Sequence, residues 1–225
     1  MFDIFLQTDT AGTSKALVSQ VESVWGVLIK GGLLMIPLMT LLAVAIFFFI
    51  ERLIAIRKAS RIEDNFMNII RDHIINGNVT AARSLAKNTN NPVARIIDKG
   101  IQRIGKPIDA IEKSMDNVGL LEMYGMEKNL SILSIISRIA PLFGFLGTII
   151  GMLALFKGIA STSEYTPNTI ADGIYIKMIT SATGLIIGIL SYMGYSYLNA
   201  QIRRVENKMD AASAEFIDIL QEPTR

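Results

Sequence analysis

The chain has 225 residues, 51% of them apolar, and 22 Lys and Arg against 20 Asp and Glu, a net charge of +2. So even a balance excludes the broad basic face of a nucleic-acid binder, and no nucleic acid is expected as a partner. With no Cys and the single His73, disulfides and thiolate or multi-His metal sites are excluded, and no cofactor is expected.

The apolar residues gather into three blocks separated by polar stretches. Residues 1–30 come first. Their opening is too polar and acidic for a cleavable signal, and without Cys no lipidation box exists. Leu17, Val18, Val21, Val24, Trp25 and Leu28 share a face between Lys15 and Lys30. That predicts an interfacial helix leading into the first span.

The first span is expected over residues 31–50, which carry no charge and end at Glu51-Arg52. At 1.5 Å per residue, about 20 residues cross a hydrocarbon core of about 30 Å. Pro37 lies inside it, as membrane helices allow.

Residues 51–138 predict a cytoplasmic helical domain without strand alternation. Turn chemistry places breaks at Asn76-Gly77-Asn78, at Asn88–Pro92 and at Gly105-Lys106-Pro107. No Gly-Pro signal follows until Pro141. That predicts one helix from Ile108 into the second span, on the order of 70 Å long. Its apolar positions include Val118, Leu121, Met126, Leu130 and Leu133.

The second span is expected over 139–156, a short outer loop over 157–177, and the third span over 178–198. The tail, 199–225, continues as a helix with Ile202, Val205, Met209, Ala212, Phe216, Ile217 and Leu220 on its apolar face. Helical stems with such stripes need partners: part is expected to pack within the chain and some between copies, as a stalk below the membrane. The fold class is therefore an all-α integral membrane protein: three transmembrane helices, long cytoplasmic helical extensions, and association into a homo-oligomer.

Lys and Arg number two in residues 1–30, fourteen in 51–138, two in 157–177 and four in 199–225. This bias makes the long loop and the tail cytoplasmic. The N-terminus and the short loop then face the periplasm of a multi-pass inner-membrane protein in a bacterial cell.

The second span carries Pro141, Gly144, Gly147, Thr148 and Gly151; the third carries Thr180, Ser181, Thr183, Gly184 and Gly188. Gly147/Gly151 and Gly184/Gly188 form GxxxG pairs, which let helix backbones approach closely. The hydroxyls suit a narrow, partly hydrated path, or each bonds a carbonyl one turn back in its own helix. No Asp, Glu or His lies in any of the three spans. If protons move, the titrating carboxylate must come from another subunit. Lys177 is expected to snorkel to the interface.

The run Ala140-Pro141-Leu142-Phe143-Gly144-Phe145-Leu146-Gly147-Thr148-Ile149-Ile150-Gly151-Met152 closely resembles the second-span signature of the ExbB/TolQ/MotA proton-channel family. The segment from Gly173-Ile174 through Thr180-Ser181-Ala182-Thr183-Gly184-Leu185 resembles the start of that family's third span. With three spans, the chain is most similar to the ExbB/TolQ branch. The resemblance implies a pentamer whose second and third spans line a pore. Inside it sit helices of an ExbD/TolR-type single-span partner, whose membrane Asp carries the proton. The motion passes to a TonB-type or TolA-type protein. By position, Thr148 and Ser181 match the family's pore hydroxyls, with Thr180 and Thr183 beside them. Ser181 stands where Thr is usual, and Ile176 where family members often carry Glu. The function expected is a proton-driven stator energising outer-membrane transport or envelope maintenance. A stator for gliding or secretion, or a non-conducting membrane scaffold, remains the alternative. No nucleophile–base pair or phosphate-cradling glycine loop points to an enzyme.

Overall fold

The computed structural model describes residues 33–60, 65–161 and 167–221. The interfacial helix expected within 1–30 lies outside them. Among the described residues there are seven helices and no strand: α1 (Met35–Ala59), α2 (Phe66–Ile75), α3 (Val79–Asn88), α4 (Pro92–Ile101), α5 (Ile108–Glu127), α6 (Leu130–Ser161) and α7 (Pro167–Gln221). Three of them, α1, α6 and α7, hold stretches long and apolar enough to cross a membrane. The protein is an all-α integral membrane protein.

The chain divides into two compact units. The first comprises residues up to Ala43 and Arg138–Ile189; the second comprises Val44–Ser137 and the chain from Leu190. Helices fill most of the expected 157–177 loop, since α6 runs to Ser161 and α7 starts at Pro167. Proline is preorganised for a first helical turn, where its missing N–H costs nothing.

In the second unit the short helices follow their capping residues. Gly77, at φ +73°, ends α2. The Asn78 side chain accepts from Ala81 N at 3.2 Å, and the Asn91 side chain from Ala94 N at 2.7 Å, with Pro92 next in line. Each cap satisfies an otherwise unpaired amide of a first turn. Gly105, at φ +90°, turns the chain before α5.

The single long helix expected from Ile108 is interrupted at Lys128-Asn129. Asn129 has φ +63°, a left-handed conformation that Asn tolerates better than most residues. The Lys128 amide closes on Tyr124 O at 3.0 Å, and α6 starts at Leu130. Arg52 of α1 reinforces the break. Its Nη1 donates to Gly125 O at 3.2 Å and its Nη2 to Glu51 Oε1 at 2.6 Å, while Asn129 Nδ2 lies 3.5 Å from Glu51 Oε2. A cation on the last carbonyls of a helix satisfies acceptors the helix leaves open.

The tail stripe is the centre of this unit's core. Leu198, Ile202, Val205, Met209, Ala212, Phe216 and Ile219 are at most 6% exposed, clustered with Ile70, Ile97, Ile101 and Met115. Gly100 is the tightest point: a Cβ there would lie 2.6 Å from the Phe216 ring and 2.7 Å from Met115 Sδ. Residues of α2–α5 thus cover these tail positions within one chain. Of the positions expected on α5, Leu121 is left open, at 68% exposed.

Candidate functional site: a glycine-faced helix pair

In the first unit α6 and α7 run antiparallel and almost touch through their backbones. A Cβ on Gly184 would lie 2.6 Å from Ala140 O, 2.8 Å from Gly144 Cα and 3.0 Å from Gly144 N. A Cβ on Gly144 would lie 3.1 Å from Ser181 Cα and 3.1 Å from the carbonyl oxygens of Thr180 and Ser181. Only hydrogen fits at 184, and little more at 144. Dispersion and backbone contact at such range hold helices together in lipid, where burial of apolar surface adds little.

Farther along the pair the contact passes from backbone to side chain. A Cβ at Gly147 would meet Thr180 Cγ2 at 2.7 Å and Leu34 Cδ1 at 3.6 Å, so three segments converge there. Gly151 makes room for the stem of Lys177, which lies across it. Gly173 faces Leu155 Cδ1, 2.8 Å from its would-be Cβ. Gly188 is buried, and Pro141 sits half-buried inside α6. The aliphatic stem of Lys177 thus packs on the small-residue surface at Gly151.

The hydroxyls divide by environment. Thr180 is 1% exposed and presents its methyl to Gly147, so it belongs to the interior of the helix pair. Thr148, Ser181 and Thr183 are half-buried. Thr148 Oγ1 donates to Phe145 O at 2.6 Å and Thr183 Oγ1 to Ile179 O at 2.9 Å. Both are therefore satisfied within their own helices in this single chain, as Ser and Thr in membrane helices commonly are. Their oxygens keep acceptor capacity for a further donor.

The outward surface is apolar. On α6, Leu142, Phe145, Ile149 and Leu153 are exposed, and on α7 so are Met178, Leu185, Ile186 and Ile189. A patch of this extent suits lipid or further membrane helices. Two residues have surroundings that the sequence does not report. Ser191, 4% exposed, has a buried hydroxyl with no hydrogen-bond partner in the structure, and Arg52 is 8% exposed beside the α5–α6 break. Ser191 was visible only as one more small residue. Arg52 adjoined an acid, Glu51, but nothing in the sequence placed Gly125 beside it.

The family model for the MotA/TolQ/ExbB proton channel family matches residues 88–211, more than half of the chain, with all of α6 and α7 as far as residue 211. The chain is 29% identical over 164 residues to an ExbB homolog of Methanothermobacter thermautotrophicus, named as a biopolymer transport protein; the match covers 71% of this chain and 58% of the relative. It is 36% identical over 90 residues to biopolymer transport protein exbB1 of Vibrio cholerae, 40% of either chain. It is 26% identical over 99 residues to Tol-Pal system protein TolQ of Haemophilus influenzae, 44% of this chain and 43% of that one. The matches thus span 40 to 58% of the length of these relatives.

Proposed function

Because the chain belongs to the MotA/TolQ/ExbB proton channel family, we propose that it is the pore-forming stator subunit of a bacterial inner-membrane motor driven by the proton motive force. In this reading its N-terminus is periplasmic and its C-terminus cytoplasmic. Copies associate as a pentamer around the single-span helices of an ExbD/TolR-type partner, and the motion reaches a TonB-type or TolA-type protein.

The observation that carries the proposal is a contrast along α6 and α7. Residues 139–156 and 178–198 supply glycines and hydroxyls, yet no Asp, Glu or His. A membrane proton path needs a group that changes charge, because a proton crossing about 100 mV releases about 2.3 kcal/mol only if something carries it. The carrier is therefore a carboxylate on another chain. We assign its solvation to Thr148 and Ser181, both half-buried. Oxygen acceptors and donors hydrate such an acid without trapping it, as a fixed cation would. Protonation removes the desolvation cost of carrying the acid past an apolar wall. Thr180, buried against Gly147, instead holds the wall together.

Reconstitution tests this directly. Liposomes holding the chain alone should keep an imposed voltage, and liposomes holding it with an Asp-bearing single-span partner should pass protons. Full proton flux through the chain alone would overturn the proposal.

A further inference from the structure

A cavity of about 210 Å³ opens in the second unit where the end of α1 meets α7, lined by Leu53, Ile56, Arg57, Ser60, Tyr197 and Gln201. Four of these six side chains are hydrogen-bond donors: a guanidinium, two hydroxyls and a carboxamide. None is acidic. We propose that this cavity binds the phosphate headgroup of an anionic membrane phospholipid.

Among the described residues, no carboxylate pairs with Arg57, whereas Arg52, Arg83 and Arg95 each have one, in Glu51, Asp98 and Glu122. Arg57 and Lys58 close the last turn of α1, where cations complement the helix dipole. That accounts for basic residues at this end of α1. It does not account for Tyr197 and Gln201 of a different helix converging on the same space. A phosphate offers oxygen acceptors to each of these four donor types, and a guanidinium can bind it through two parallel N–H groups.

The surroundings supply the rest of a lipid. One and two turns before Arg57, Ile54 and Ile50 are 64% and 49% exposed. One and two turns before Tyr197, Met193 and Leu190 are 62% and 55% exposed. Aliphatic surface thus leads from the cavity along both helices toward their apolar stretches, as acyl chains require. Gln201 stands three residues past the apolar run ending at Leu198, and Arg57 seven past Ile50. At 1.5 Å per residue these are depths of about 5 to 10 Å, those of the headgroup layer. A soluble phosphate would satisfy the donors but leave the aliphatic surface bare.

Native mass spectrometry of the full chain in mild detergent, titrated with phosphatidylglycerol, phosphatidylcholine or inorganic phosphate, tests the assignment. Arg57→Gln and Gln201→Leu should each weaken phosphatidylglycerol retention about tenfold, the effect of one lost charge-assisted hydrogen bond. Arg203→Gln, at an exposed position on another face of α7, should leave retention unchanged. Phosphatidylcholine should bind more weakly and respond to none of the three. Unchanged phosphatidylglycerol retention in both cavity variants would overturn the site. Equal retention of phosphatidylcholine would overturn the preference for an anion. Displacement of the lipid by inorganic phosphate that binds alone would assign the cavity to a soluble anion instead.

Discussion

Gly184 rests on the backbone of Gly144, so that a methyl group at 184 would lie 2.8 Å from the Gly144 Cα and 2.6 Å from the Ala140 carbonyl oxygen. The atoms it would strike belong to helix backbone, which cannot swing aside as a side chain can. Gly184→Ala should therefore force α6 and α7 apart, at a cost of about 1–3 kcal/mol. Gly144→Ala, with 3.1 Å of room, should cost less. Gly125→Ala, with nothing within 4 Å, should be neutral or stabilising. Thermal unfolding in detergent of the three variants checks the order.

Gly151 differs from Gly184 because what crosses it is the flexible stem of Lys177. A larger residue at 151 should be tolerated better once that stem is removed. Gly151→Leu and Lys177→Ala are expected to be non-additive, with a coupling of about 0.5–3 kcal/mol. A double-mutant cycle on detergent stability reads it, and strict additivity would mean the two residues do not share this space.

Arg52 ties α1 to the end of α5 through the Gly125 carbonyl while pairing with Glu51. Arg52→Ala should cost about 2 kcal/mol, because charge-assisted bonds are lost at a nearly buried site. Arg52→Lys should recover little of it. A single ammonium cannot reproduce the spread of donors from one planar group. Chemical unfolding of the two variants separates the bonding geometry from the charge.

Phe216 and Gly100 are complementary in size. Phe216→Ala should destabilise by about 3–5 kcal/mol, as large-to-small core changes do. Gly100→Ala should also destabilise, since its methyl would meet the Phe216 ring at 2.6 Å. Combined with Phe216→Leu, Gly100→Ala should cost less than it does alone. Protease resistance and unfolding midpoints measure all three.

The hydroxyl assignment makes its own demand. Thr148→Ala with Ser181→Ala should lower proton-driven activity in the presence of the Asp-bearing partner while leaving assembly intact. Thr180→Ala should instead weaken the helix pair, since its methyl fills the space over Gly147. Activity per assembled complex distinguishes the two effects. Full activity in the Thr148/Ser181 double variant would remove those residues from the path.

Much of this was legible from local chemistry. Three apolar stretches, the caps at Asn78 and Asn91 and the turn at Gly77 each depend on a few neighbouring residues, so sequence pattern alone reports them. No Pro and no Gly stands at the α5–α6 break itself; there Asn129 adopts a left-handed conformation between two good helices, which no local pattern announces. The tail stripe was read correctly as a face needing cover. Periodicity reports that a face is apolar and says nothing about what covers it.

By itself, then, the sequence determined the three apolar stretches, the lack of any acid within them and the small residues that permit close helix contact. Those follow from composition within a single segment. Only the tertiary structure decided that Gly184 meets Gly144, that Thr180 turns inward while Thr148 bonds its own helix, and that Arg57 shares a cavity with Tyr197 and Gln201. The reason is physical. A residue's partners across helices are set by register and rotation, which depend on all contacts of the packed chain at once.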